Sequence, residues 1–185
     1  MSRASPADSV RARGLHWFED VLGAVPRELA AVAPAGRAHF ALWCAERAMR
    51  SAPQSGLAGV AGIDDWPRFL DTLWADVSTG TRHALSSVST LLVAIDHALA
   101  EVDDPVLEVL DHDAVAACVY AARCYATGDA EPARWAATRW LDAVFAGVAE
   151  EGQLEDEASH PAVQQALREL RLALAQVQQP SDAPS

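Results

Sequence analysis

Apolar residues recur every three or four positions along most of the chain, which is the spacing of an amphipathic helix. A run of alternating β-branched residues flanked by hairpin turns, the pattern of a half-buried strand, is not found. The sequence therefore predicts an all-α fold, a single-domain bundle of about six or seven helices. The segments with the clearest helical spacing are 39–50, 65–77, 86–102, 113–126, 132–150 and 160–177.

Residues that favour helix ends lie at the borders of these segments. Asp64 or Asp65 is placed to cap the segment at 65–77, and Pro67 follows in its first turn, where a missing N–H is tolerated. Gly128 is positioned to end the segment at 113–126, and Pro161 stands near the start of the last segment. The helix borders are thus predicted independently of the apolar pattern.

The 185 residues fit one domain, and a chain of this length buries roughly 70% of its unfolded surface. Both ends are polar and rich in Pro, Ser or Ala, so we expect disordered tails at 1–13 and 178–185 around a helical domain at 14–177. A glycine-rich loop is predicted at 56–62 and an acidic loop at 150–157.

The formal net charge of −12 makes a negatively charged partner unfavourable. A field of this sign gives no support to phosphate-backbone binding, so we expect no nucleic-acid partner. The N-terminus lacks an apolar targeting segment, and the longest apolar runs fall well short of the roughly 20 residues that cross a bilayer. We therefore expect a cytoplasmic protein with no membrane association.

The apolar stretch 39–50 contains a charged pair, Glu46 and Arg47. Arg47 lies seven positions after Phe40, so in a helix its guanidinium is in line with the main apolar stripe. A buried arginine keeps its proton and needs carboxylate or carbonyl partners. Neighbouring side chains in a helix diverge by about 100°, which makes Glu46 a poor partner.

Three aspartates in or beside other apolar stripes are candidate partners for Arg47, and two interpretations follow. In the first, Arg47 pairs with a carboxylate of a neighbouring helix and sets its register. In the second, Glu46 and Arg47 line a cleft in which the arginine holds an anionic ligand. The candidate partners are Asp71, Asp96 and Asp113, and the candidate polar cluster consists of Glu46, Arg47, Asp71 and Asp113.

Four runs together resemble, in order and rough spacing, the bacterial DUF416 family, also called the YjaG family. They are FALWCAERA, FLDTLWADV, ACVYAARC and HPAVQQALRELRLAL, and the resemblance spans about residues 15–177. It implies an all-helical cytosolic bacterial protein, and the family has no assigned biochemical function. The matching positions are Cys44, Glu46, Arg47, Leu70, Asp71, Trp74, Cys118, Pro161 and Val163.

Two positions depart from the family pattern. Ala116 stands where an aspartate is common, and His160 stands where an asparagine precedes the proline. The missing carboxylate at 116 weakens any metal or acid–base site there, unless Asp113 takes its place.

Candidate metal and nucleophile motifs are weak. The densest group of potential ligands, Asp-His-Asp at 111–113, is better interpreted as a helix N-terminus, so we predict no metal and no cofactor. The cysteines lie in apolar segments and are expected to be reduced core residues. They are Cys44, Cys118 and Cys124.

Of the six tryptophans, Trp43 and Trp74 follow apolar stripes and are expected in the core. Trp135 and Trp140 diverge by about 140° in a helix, so one of them is a candidate interface anchor. We therefore expect a non-enzymatic module that binds another protein, basic in charge, or forms a homodimer. The alternative is a small-molecule-binding protein or enzyme with a cleft around Glu46, Arg47 and Asp71.

Overall fold

The computed structural model describes residues 21–51, 63, 65–100, 112–150 and 160–179, without the side chains of 98–100 and 149–150. Within these ranges the chain forms seven helices and no strand, which confirms the predicted all-α single domain. The helices are α1 (21–29), α2 (Pro34–Ser51), α3 (Trp66–Thr79), α4 (Leu85–Ala100), α5 (Asp113–Thr127), α6 (Ala130–Glu150) and α7 (Pro161–Gln178).

Several predicted segments lie outside the described residues. These are the N-terminal tail, the glycine-rich loop, the acidic loop beyond Glu150, and the C-terminal tail beyond Gln179. No described helix combines the length and apolar character needed to cross a membrane.

Helix α2 lies at the centre of the bundle, where it packs against α5 and α6, and α5 and α6 also pack against each other. Helix α3 contacts α2 and α5, α4 contacts α5, and α7 contacts α2 and α6. Half of the buried residues of α2 are alanines, and the others include larger side chains that fill the core between the helices. The buried residues of α2 are Ala38, Phe40, Ala41, Leu42, Cys44, Ala45, Ala48 and Met49.

The helix ends follow the expected chemistry. The side chain of Asp65 accepts a hydrogen bond from the backbone N–H of Arg68 at 3.0 Å, and Pro67 lies in the first turn of α3. Gly128 ends α5 with φ of +76°, and a Cβ there would lie 2.9 Å from Pro34. Glycine is therefore required both by the left-handed backbone and by the close start of α2.

The start of α5 differs in detail from the expected cap. His112 occupies the N-cap position without a side-chain cap hydrogen bond, and Asp113 lies in the first helical turn. There it faces the positive end of the helix dipole, which favours a carboxylate.

Arg37 joins two helix ends that are far apart in the sequence. Its Nε and Nη2 donate to the carbonyls of Leu29 and Ala30 at the end of α1, at 2.9 and 2.7 Å. Its Nη1 donates to the carbonyl of Gly128 at 2.9 Å. One guanidinium thus donates to carbonyls at the C-terminal ends of two helices, where the helix dipole favours a cation.

Candidate functional site

A cleft opens between the C-terminal end of α2, the second half of α6 and the first half of α7. Its volume is about 380 Å³, within the range of small-molecule sites. One end carries arginines and the wall along α6 is mainly apolar. The lining residues are Arg47, Arg50, Ser51, Trp140, Ala143, Val144, Gly147, Val148, Ala162, Gln165, Ala166 and Glu169.

Arg47 lines this cleft and pairs across it with α7. Its Nη1 lies 3.1 Å from Oε2 of Glu169, and its guanidinium lies 5.2 Å from the ring centroid of Trp43. Trp43 in turn makes an edge contact with Trp140 at 5.0 Å. The expected partners were therefore wrong: the carboxylate comes from α7, whose packing against α2 the spacing along the sequence does not specify.

The four residues of the predicted polar cluster have separate surroundings. Glu46 pairs with Arg50 one turn later in α2, and Asp113 pairs with Arg139 of α6 at 3.0 Å. Asp71 is exposed on α3. Of the four, only Arg47 contributes to the lining of the cleft.

Asp96, the remaining candidate partner, pairs with Arg123 of α5. In the described part of the chain, the ion pairs between helices link α4 to α5, α5 to α6 and α2 to α7, so Asp96 and Asp113 serve different helix contacts.

An aromatic patch, consisting of the exposed Trp135 and the half-buried Tyr120 and Arg134, lies where α5 and α6 meet. Trp135 is 37% exposed, its ring is stacked near Tyr120 at 6.0 Å and 25°, and the Arg134 guanidinium lies 4.8 Å from its centroid. Trp140 is only 3% exposed and belongs to the core. Of the two predicted interface tryptophans, only Trp135 is accessible.

Next to the aromatic patch, two carboxylates share one arginine. The Nη1 of Arg139 lies 3.0 Å from Asp113 and 4.0 Å from Asp142. Burial, and then the nearby charge of Asp113, raise the pKa of Asp142, while Arg139 opposes that rise. This acidic pair, Asp113 and Asp142, therefore carries more negative charge than its arginine neutralises.

A second polar cluster, centred on Asp76, was missed by the sequence analysis. Asp76 is the one buried charged residue in the described part of the chain. It accepts hydrogen bonds from the Tyr125 hydroxyl at 2.5 Å, the Ala84 backbone N–H at 2.7 Å and the Thr81 hydroxyl at 2.8 Å. These contacts join α3, the α3–α4 connection and α5.

Hydrogen bonding and burial shift the pKa values of Asp76 and Tyr125 in opposite directions. Chiefly because the Tyr125 hydroxyl donates to it, the pKa of Asp76 falls to about 2. Burial, followed by the bond to Asp76, raises the pKa of Tyr125 to about 12. Asp76 follows Leu73 by three positions on the apolar stripe of α3, so the signal that singled out Arg47 was also present here.

Arg82 completes the corner of the bundle that contains Asp76. Its Nη2 donates to the carbonyls of Tyr125 and Ala126 at the C-terminal end of α5, and its guanidinium lies 5.5 Å from the Tyr125 ring. A cation at a helix C-terminus is favoured by the helix dipole.

The cysteines are buried and unpaired, and burial raises the pKa of each thiol, to about 12 for Cys124. A thiol held in this form is a poor nucleophile. Among the described residues, no group of three or more His, Cys, Asp or Glu side chains is arranged to hold a metal ion.

Comparisons with known proteins give no family for this arrangement. No protein-family model matches the chain, and no curated protein or solved structure is significantly similar to it. The resemblance to the DUF416 family therefore stays a prediction.

Proposed function

We propose that this protein is a non-enzymatic binding module that recognises a basic segment of another protein through the aromatic patch and the adjacent acidic pair. The observation that carries the proposal is the partly exposed indole of Trp135, which contacts Tyr120 and Arg134. An aromatic ring fixed before binding loses little side-chain entropy when a partner covers it.

The composition of the patch supports a protein partner. Tryptophan, tyrosine and arginine are the residue types enriched at the energetic centres of protein interfaces. All three are present in the patch, and their contacts with one another fix the relative positions of the rings. The other large apolar side chains exposed in the described helices, Val93 and Leu172, are aliphatic and lack the aromatic ring and the polar handle of an indole.

The charge around the patch supports a basic partner. Trp135 and Asp142 are seven positions apart in α6, which places them on one helix face about 10 Å apart. The acidic pair shares a single arginine, and the whole chain carries a net charge of −12. A lysine or arginine of the partner would gain from the surplus carboxylate while its aliphatic stem covers the indole.

The test compares three versions of the protein as bait: the wild type, Trp135→Ala and Leu172→Ala. A partner recovered with the wild type is identified, purified and titrated against each version by calorimetry. We expect Trp135→Ala to weaken binding at least tenfold, because it removes the proposed anchor, and Leu172→Ala to leave it within twofold. Leu172, which is 64% exposed on α7, matches the loss of exposed apolar surface.

Two further readouts test the charge argument. Asp142→Asn should weaken the complex with the partner. The affinity of the wild-type protein for the partner should fall as the salt concentration is raised. A partner retained equally by Trp135→Ala, an affinity that does not depend on salt, or a partner of acidic charge would contradict the proposal. Self-association lost in Trp135→Ala would instead assign the patch to a homodimer.

A further inference from the structure

We infer that the cleft between α2, α6 and α7 binds a small amphipathic monocarboxylate. Its carboxylate would lie at Arg47 and Arg50, and its apolar body would follow Trp140, Val144 and Val148. This site lies apart from the aromatic patch, so the inference does not depend on the proposed function.

The apolar wall is already formed by the packing of the bundle. Trp140 and Val148 are each 3% exposed, so their positions are fixed by the core behind them. Small residues of the same helix, Ala143 and Gly147, and of α7, Ala162 and Ala166, leave the space in front of this wall open. A Cβ added to Gly147 would meet no atom within 4 Å.

The polar end of the cleft is prepared for an anion. Arg47 and Arg50 are three positions apart in the last turn of α2, so both guanidinium groups are on one side of the helix. Arg47 is further held against Trp43. A guanidinium presents several N–H donors in a planar fork that matches a carboxylate, and the bond to Glu169 engages only one Nη.

The existing ion pairs are weak enough to be exchanged. The side chains of Arg47 and Arg50 are 37% and 63% exposed, and ion pairs at such exposure contribute little. Because Glu169 and Glu46 already neutralise part of the arginine charge, a ligand with a single negative charge fits better than a dianion such as a phosphate monoester.

The test uses octanoate as the probe and octylammonium, which has the same chain and the opposite charge, as the control. Calorimetric titration of the full chain should show saturable binding of octanoate to one site and none of octylammonium. Arg47→Gln should weaken octanoate binding at least tenfold. Glu169→Gln should tighten it severalfold, because it removes the carboxylate that competes for Arg47.

The opposite signs of these two changes separate a ligand site from a structural ion pair, since both variants would disturb a structural pair alike. Gly147→Leu adds a side chain in the open space of the cleft and should abolish binding while the circular dichroism spectrum stays unchanged. Trp135→Ala should bind octanoate like the wild type, whatever its effect on a protein partner.

Three outcomes would overturn the inference. They are octanoate binding that does not saturate, equal binding of octylammonium, and shifts in the same direction for Arg47→Gln and Glu169→Gln.

Discussion

Asp76 and Arg47 are both charged residues on the apolar stripe of a helix, yet their surroundings differ. Asp76 is 4% exposed and accepts hydrogen bonds from three other residues. The Arg47 side chain is 37% exposed and makes one ion pair beside an open cleft. A charge in line with buried residues therefore does not by itself indicate the same role.

The two charges differ in how strongly the protein is destabilised when the charge is separated from its partners. A buried carboxylate without its donors is strongly destabilising, so the Asp76 cluster holds α3, the α3–α4 connection and α5 in one arrangement. The guanidinium of Arg47 can exchange one anion for another with a small change in free energy, because water reaches it. The first cluster is suited to stability and the second to binding.

Replacing Asp76 should have the largest effect on stability. Asp76→Asn keeps the size of the side chain but removes the charge that the Tyr125, Thr81 and Ala84 donors stabilise. We expect it to lower the free energy of unfolding by about 2–4 kcal/mol, measured by urea denaturation. Asp71→Asn, an exposed aspartate on the same helix, is the control and should change it by less than about 0.5 kcal/mol. Equal effects would contradict the special role of Asp76.

Lowering the pH should remove the stability that the Asp76 cluster contributes. The folded pKa of Asp76 is about 2, below its ordinary value of 3.8, so its stabilising contribution is complete above the ordinary value and is lost as the pH falls toward 2. Melting temperatures from pH 6 to pH 2 should therefore fall more steeply for the wild type than for Asp76→Asn. Parallel curves would show that Asp76 titrates normally.

Removing one donor should have an intermediate effect. Tyr125→Phe deletes the hydroxyl that donates to Asp76 and should lower the free energy of unfolding by about 1.5–3 kcal/mol. The control is Tyr120→Phe, half-buried on the same helix, which should lower the free energy of unfolding less.

High pH should weaken the same hydrogen bond. The pKa of Tyr125 is raised to about 12, so the stability that its hydroxyl contributes is complete below the ordinary value of 10 and is lost as the pH rises toward 12. Urea denaturation between pH 9 and 12 checks both statements.

The smallest effect is expected at the cleft. Arg47→Gln, Glu169→Gln and the double variant form a cycle that isolates their interaction, which should be below about 1 kcal/mol because both side chains are partly exposed. An interaction comparable to that of Asp76 would remove the contrast between the two regions.

Most of the fold could be predicted because helices are specified locally. The apolar positions Val163, Leu167, Leu170 and Leu174 define one face of α7, and all four are buried. Asp65, Pro67 and Gly128 act at helix ends through contacts with residues close in sequence or through their own backbone angles. Such signals need no knowledge of the neighbouring helices.

The candidate site was harder to predict because it depends on contacts between distant helices. Glu169 lies 122 positions after Arg47, and only the packing of α7 against α2 brings them together. The pattern indicated that Trp135 and Trp140 face different ways, but which one is exposed depends on the position of α2, where Trp43 covers Trp140.

The positions of the cysteines allow local opening of the core to be measured. Cys44 lies in the central helix α2, and Cys118 and Cys124 lie in α5, which packs against it. A buried thiol reacts with an alkylating reagent only when its surroundings open, so the labelling rate of each cysteine reports how often that part of the core is exposed to solvent. The three native cysteines therefore report local opening of the core without any engineered label.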